Sequence, residues 1–175
     1  MKRKFLFILF LIYSFNFIFA TPKSLCIIQS EKYELNKNVT LKINIYSIDS
    51  NPYTTQKIIK IYKKNIFGLW TEKGSLESIK LEEGDIGEGF QDCWIEGNKI
   101  YIQQSFGDGK FLIISKLVFE YNDEIKLIKY IENHIDRFSE DKDFSDIQFP
   151  IPDNISFNEV NSEFVYKMHK HQYVR

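Results

Sequence analysis

Between Val39 and Ile45 apolar and polar residues alternate without a break. Val39, Leu41, Ile43 and Ile45 take one parity, and Thr40, Lys42 and Asn44 take the other. A period of two predicts a strand with one face in a core. The same period returns in Lys99–Ser105, where Ile100 and Ile102 alternate with Tyr101 and Gln103, and in Phe111–Tyr121, where Ile113, Leu117 and Phe119 share a parity. The start of that last run, Phe111-Leu112-Ile113-Ile114, is apolar on both faces and predicts a central strand covered on both sides. Gln91–Ile95 and Ile125–Ile131 flank these two runs. The connections are short: Glu96-Gly97-Asn98, Phe106–Lys110 and Asn122-Asp123-Glu124. Gly and Asn tolerate the positive φ of tight turns, and short connections join antiparallel neighbours. Phe90 to Tyr130 therefore reads as a four-stranded antiparallel meander around which the rest is arranged.

Further strand candidates are Ser24–Gln29, Gln56–Lys63, Leu69–Glu72 and Ser78–Leu81. Glu31–Lys37 reads as a polar turn or edge, Asp49–Pro52 as a turn, and Asn133–Asp146 as a polar surface excursion. Phe149-Pro150-Ile151-Pro152 is extended, because proline suits neither a helix interior nor a central strand. One helix is expected. Ser156 and Glu159 form a capping-box pattern, and Phe157, Val160, Phe164 and Met168 fall on one face, with Lys167 and Lys170 near the negative end of the dipole. Asn161 or Ser162 is an equally good start, with Phe157 in an extended lead-in. The fold class is mainly β (α+β): an antiparallel meander sheet with a C-terminal helix, in one domain over residues 21–175.

The start of the chain changes the setting. Lys2-Arg3-Lys4, an apolar run from Phe5 to Phe19 and a small residue at Ala20 read as a secretory signal peptide over residues 1–20. Cleavage would leave no stable membrane anchor, and the mature protein is expected in the periplasm or outside the cell. The full chain of 175 residues carries 23 basic and 24 acidic side chains. The leader holds three of the bases and no acid, so 20 bases then stand against 24 acids, a net charge of −4. A mildly acidic balance predicts no nucleic-acid partner and no footprint for an anionic membrane. Cys26 and Cys93 both lie in the mature chain, and an exported protein with an even count permits a disulfide between them; two buried free thiols are the alternative.

Candidate chemistry is sparse. Glu82, Glu83, Asp85, Glu88 and Asp92 put five carboxylates in a Gly-rich segment that leads into the meander. Oxygen-rich loops bind calcium, but the spacing departs from the alternate-position pattern of an EF-hand. His134 has Asp136 and Arg137 beside it, and His169 and His171 are two apart, a spacing that divides them between helix faces. Each reads as a surface histidine, so no metal ligand set and no cofactor are expected. There is no Gly-x-Ser-x-Gly elbow and no phosphate-cradling loop. Trp70, Trp94, Tyr101, Phe106 and Phe111 can serve a core or a partner surface. Phe106 and Phe111, at the two ends of a loop that also holds Asp108, are the ones expected to be exposed.

The order of features from Gln56 to Tyr130 resembles small, exported bacterial proteins without an assigned activity. The shared features are an Ile-Tyr strand (Ile61-Tyr62), a Gly-rich acidic loop, Phe90-Gln91-Asp92, a hairpin over Ile95–Ile102 and Phe119-Glu120-Tyr121. Asp136-Arg137 and the Phe157, Val160 lead-in are also similar. Where those proteins carry Asp-Pro-Phe, this chain has Gln91-Asp92-Cys93. The resemblance implies secretion and a β-rich fold, and no catalytic residues.

The expectation from sequence is an exported protein-binding module, of inhibitor or immunity type, with the acidic loop and Phe106, Asp108 and Phe111 as binding residues. The alternatives are an envelope hydrolase using Glu88 or Asp92, and a purely structural envelope protein.

Overall fold

In a computed structural model, which describes residues 25–47, 56–81, 85–139 and 146–170, the strands form two antiparallel sheets in which every strand neighbours the next in sequence. Sheet A holds β1 (Cys26–Asn36), β2 (Val39–Ser47), β3 (Lys57–Lys64) and β4 (Trp70–Glu77). Sheet B holds β5 (Gly89–Glu96), β6 (Lys99–Asp108), β7 (Phe111–Asn122), β8 (Glu124–Asp136) and β9 (Asp146–Phe149). The mainly-β class and the antiparallel meander are therefore seen, and the run expected to be central, β7, is the middle strand of sheet B. The inward residues of both sheets make one core, with Leu41, Ile43, Ile45, Ile59 and Ile61 from sheet A and Ile100, Ile102, Ile113, Leu117 and Phe119 from sheet B. The leader and the Asp49–Pro52 turn lie outside the described residues.

Several boundaries differ from expectation. Of the two readings of Glu31–Lys37, turn or edge, the edge is the one seen: most of it continues β1, the edge strand of sheet A. Ser78–Leu81 is not a strand. Its backbone is held from the side instead, with Ser78 N–H donating to Lys57 O, Ile79 N–H to Gln104 Oε1 and Lys80 N–H to Ser162 Oγ. Asn133–Asp136 belongs to β8 and is no surface excursion.

β8 carries the irregularity on which the candidate site depends. Phe119 pairs with Leu127 and Val118 with Lys129, so Ile128 is an extra residue without a partner on β7. Such a bulge reverses which face each later residue takes. Ile125 and Leu127 point into the core before it, and Tyr130 and Glu132 do so after it. Ile128 itself is exposed.

The C-terminal segment ties the sheets together. Ser156 N–H donates to the Glu159 carboxylate at 2.7 Å, but the turn this closes is a short 3₁₀ turn, Phe157–Glu159. The helix proper, α1 (Ser162–His169), starts at the alternative cap, Asn161, whose side chain accepts from Phe164 N–H at 3.0 Å. Phe157 meets Phe119 of sheet B edge-on at 4.8 Å. Its neighbour Asn158 accepts from Ser75 N–H of sheet A at 2.7 Å. Val160, Phe164 and Met168 are buried, as the helical pattern requires.

Cys26 and Cys93 are both free thiols, so the bridge that an even count permits is not formed; of the alternative, two buried thiols, only Cys93 fits. Cys26 is exposed at the start of β1, and Cys93 is buried in β5. The part of β1 electrostatically close to Cys93 is Glu31. Cys26 lies five residues back along the strand, roughly 16 Å away at ~3.3 Å per residue. A bridge needs Cα atoms about 4.4–6.8 Å apart. Burial, with Asp92 and Glu31 nearby, pushes the Cys93 thiol far above its ordinary value, so it is an inert core residue.

Candidate metal centre

The bulge at Ile128 turns Tyr130, Glu132 and His134 onto the inward side of sheet B, near the end covered by α1. His169 arrives from the last turn of α1, because it shares a helix face with Val165 four residues earlier. The Glu132 side chain is completely buried. Its Oε2 accepts from His134 Nε2 at 2.6 Å and from His169 Nδ1 at 2.9 Å, while its Oε1 accepts from the Tyr130 hydroxyl at 2.6 Å. A carboxylate taken from water without partners would cost several kcal/mol, so this one has all of its neighbours turned towards it. Burial pushes its pKa up. The hydrogen bonds from His169, Tyr130 and His134 and the charge of His169 outweigh burial, and Glu132 sits below the usual glutamate value. Tyr130 moves the other way: burial and the Glu132 charge raise its phenol well above 10, so it remains a donor.

Aromatic walls fix the two imidazoles. Phe106 meets the His169 ring edge-on at 5.3 Å and Tyr166 at 5.4 Å, and Phe111 lies 6.0 Å from the His134 ring. The two imidazole centres are 5.7 Å apart. Behind Phe106, Asp85 locks the incoming loop. Its Oδ1 accepts from Gly87 N–H at 3.0 Å and from Gly107 N–H, and its Oδ2 accepts from the Tyr166 hydroxyl at 3.4 Å. The glycines here serve close backbone approach. A Cβ on Gly87 would lie 2.6 Å from Phe106 N, and one on Gly107 would lie 2.6 Å from Ile86 Cγ1.

The residues expected from sequence to form a site divide into three groups. Asp85, Phe106 and Phe111 gather around the Glu132 cluster as its support. Glu88 and Asp92 are exposed, and Asp92 spends one oxygen on the amide of Cys93 at 2.7 Å. Glu82, Glu83 and the side chain of Asp108 lie outside the described residues, as does His171. Phe106 is not exposed: β6 runs on to Asp108, so Phe106 keeps the inward parity of Ile100 and Ile102 and is fully buried. Phe111 is half-buried. His134 and His169, expected as surface histidines, are instead drawn in against Glu132, with side chains about a quarter and a tenth exposed. Glu132 fell one residue beyond the expected end of its strand. His134 and His169 are 35 positions apart, and nothing local links them.

The donor atoms of Glu132, His134 and His169 all lie within 4.8 Å of one another, and they form a group of His, Cys, Asp or Glu side chains able to hold a cation among the described residues. Two imidazoles and a carboxylate suit zinc and other divalent first-row metals. Bonds of roughly 2.0–2.2 Å in a tetrahedron hold donors about 3.3 Å apart. The Glu132–His134 and Glu132–His169 donor pairs, at 2.6 and 2.9 Å, would open by about half an ångström to admit an ion. Tyr130 stands where a partner that orients a ligating carboxylate is needed. His134 is about a quarter exposed, which leaves a route from solvent.

The chain matches no family model, no curated protein and no solved structure.

Proposed function

We propose that this chain is an exported binding protein that holds a divalent first-row metal ion of the zinc class at Glu132, His134 and His169. The observation that carries the reading is the convergence of three ligating atoms from β8 and α1 within 4.8 Å, around a buried carboxylate. The basic, then apolar, start of the chain supports export. Three protein ligands leave a fourth position for an atom from solvent or from a bound partner. The expected inhibitor- or immunity-type role is compatible with this centre, with the ion bracing α1 against sheet B. A second reading, metal-assisted hydrolysis at the same position, is favoured by the ligand count, since catalytic zinc sites keep three protein ligands and one open position. A hydrolase built on Glu88 or Asp92 has less support, because both side chains are exposed.

The test is equilibrium dialysis of metal-stripped protein against zinc, with Glu132→Gln, His134→Ala and His169→Ala beside the parent. One equivalent bound by the parent and a loss of about 100-fold or more in each variant is the expected outcome. Uptake that survives all three substitutions would sink the reading.

A further inference from the structure

The end of sheet A carries a second feature that the Glu132 centre does not use. The turn between β3 and β4 presents Ile66, Phe67 and Leu69 at 93%, 80% and 65% exposure. Exposed side chains of this size are common singly; three on one four-residue tip are not. The tip is also rigid. Asn65 Oδ1 accepts from Phe67 N–H at 3.0 Å and from Leu69 N–H at 2.9 Å, Asn65 O accepts from Gly68 N–H at 3.0 Å, and Leu69 O accepts from Asn65 N–H at 2.8 Å. Gly68 supplies the positive φ, +81°, that closes the turn. The amides of Asn65, Phe67, Gly68 and Leu69 are thus paired internally while the apolar side chains face out. That combination is what a segment needs to enter a lipid layer, where an unpaired backbone group costs several kcal/mol.

Beside the tip is an open basin of about 810 Å³ whose walls include Lys37, Lys63, Lys64 and Lys73 and no acidic residue. Lys63 also reaches Asp123 at 3.2 Å. Trp70 stands at the root of the tip with the Lys42 ammonium 4.7 Å from its ring. Lysines around an aliphatic and aromatic tip, with a tryptophan at its base, match the layering of a bilayer surface: apolar groups among the acyl chains, indole at the interface, ammonium groups at the phosphates.

We propose that this end of sheet A adsorbs reversibly to anionic phospholipid membranes, with Ile66, Phe67 and Leu69 inserted and the lysine basin over the headgroups. The inference stands apart from the metal centre. Without residues 1–20 the chain carries a net charge of −4, so a local cluster of lysines such as this one is what would draw and orient it on an anionic surface. Each lysine near an anionic surface is worth about fivefold in affinity, and the attraction fades with salt.

The test is co-sedimentation of protein lacking residues 1–20, which retains every strand and α1, with vesicles of phosphatidylcholine alone or mixed with phosphatidylglycerol. Binding to the anionic vesicles is expected to exceed binding to neutral ones by at least tenfold and to fall with salt. Phe67→Ser should weaken it about tenfold, and Lys64→Gln with Lys73→Gln about 25-fold. All three positions are exposed, and an unchanged thermal melt verifies the fold of each variant. Binding that needs the lysines but ignores Phe67→Ser would assign the basin to a soluble polyanion and overturn the proposal. Equal binding to neutral vesicles, or none to either kind by folded protein, would also overturn it.

Discussion

Tyr130 donates its hydroxyl to Glu132 Oε1 at 2.6 Å from two residues back on the same strand face, and both side chains are fully buried. This contact fixes one oxygen of the carboxylate, so the other is left to the two imidazoles. Tyr130→Phe removes the donor and leaves a buried oxygen without it. The expected cost is about 1–3 kcal/mol in urea unfolding, together with a roughly 10–100-fold weaker grip on zinc. A variant as stable and as tight as the parent would show that the phenol does not position Glu132.

Acid should act through the same carboxylate. The folded-state pKa of Glu132 lies below its ordinary 4.5, so the ionised network adds stability in full above about pH 4.5. That stability fades as the pH falls through the lower folded value. Glu132→Gln should be less stable than the parent at pH 7, by about 2–3 kcal/mol, and the difference should shrink in acid. Chemical denaturation of both proteins from pH 7 to strong acid measures it. A gap that is constant with pH would mean that the charge of Glu132 is not the stabilising element.

Gly87→Ala tests the support around Phe106. The new methyl would press against the backbone of Ser105 and Phe106, which cannot step aside as a flexible side chain would. A loss of about 1–3 kcal/mol is expected. Amide exchange should quicken at Gly107, whose N–H is held by Asp85 of the same loop. Unchanged exchange would separate the loop from the site.

The thiols give a fourth check. Cys26 is exposed and Cys93 buried. A thiol reagent should modify one cysteine in the folded protein and two after unfolding, under oxidising conditions as well as reducing ones. Cys26→Ser should leave the melting temperature unchanged. Two protected cysteines in native oxidised protein would restore the bridge that the strand geometry excludes.

Much of the architecture is legible in the alternation of residues. Leu41, Ile43 and Ile45 announce the inward face of β2, and Ile100 and Ile102 that of β6, because a strand half in water must sort its side chains by parity. What escaped are places where that rule is suspended. β1 lies at an edge, where water takes the outward groups and apolar content drops, so Glu31–Lys37 reads equally as an edge or a turn. In β8, Ile125, Leu127 and Tyr130 are inward although 127 and 130 differ by three, a step that only a bulge permits. That three-residue step was the readable signal. Followed onward, it puts Glu132 and His134 inside. His169 had its own clue in Val165, a buried residue four positions earlier on its helix face. No local pattern, however, announces that the end of α1 meets the end of β8.

The lysine basin and the Glu132 centre also show why net charge is a poor guide to local electrostatics. A balance of −1 overall conceals four lysines around one basin and a buried carboxylate facing two imidazoles elsewhere. Each is a local arrangement made by turns and register, and a sum over the chain averages it away.

The unpaired Ile128 makes one codon of this gene dispensable. Replacing that exposed side chain with another should pass almost unnoticed, since it has no partner on β7. Removing the codon should be tolerated as well. The pair Lys129–Val118 would follow directly on Leu127–Phe119, the ladder would become regular, and Tyr130, Glu132 and His134 would keep their side of the sheet. Lineages descending from this gene should therefore vary at position 128 in length as well as in spelling, whereas the loss of a second residue from the same stretch would turn Glu132 and His134 out to the solvent.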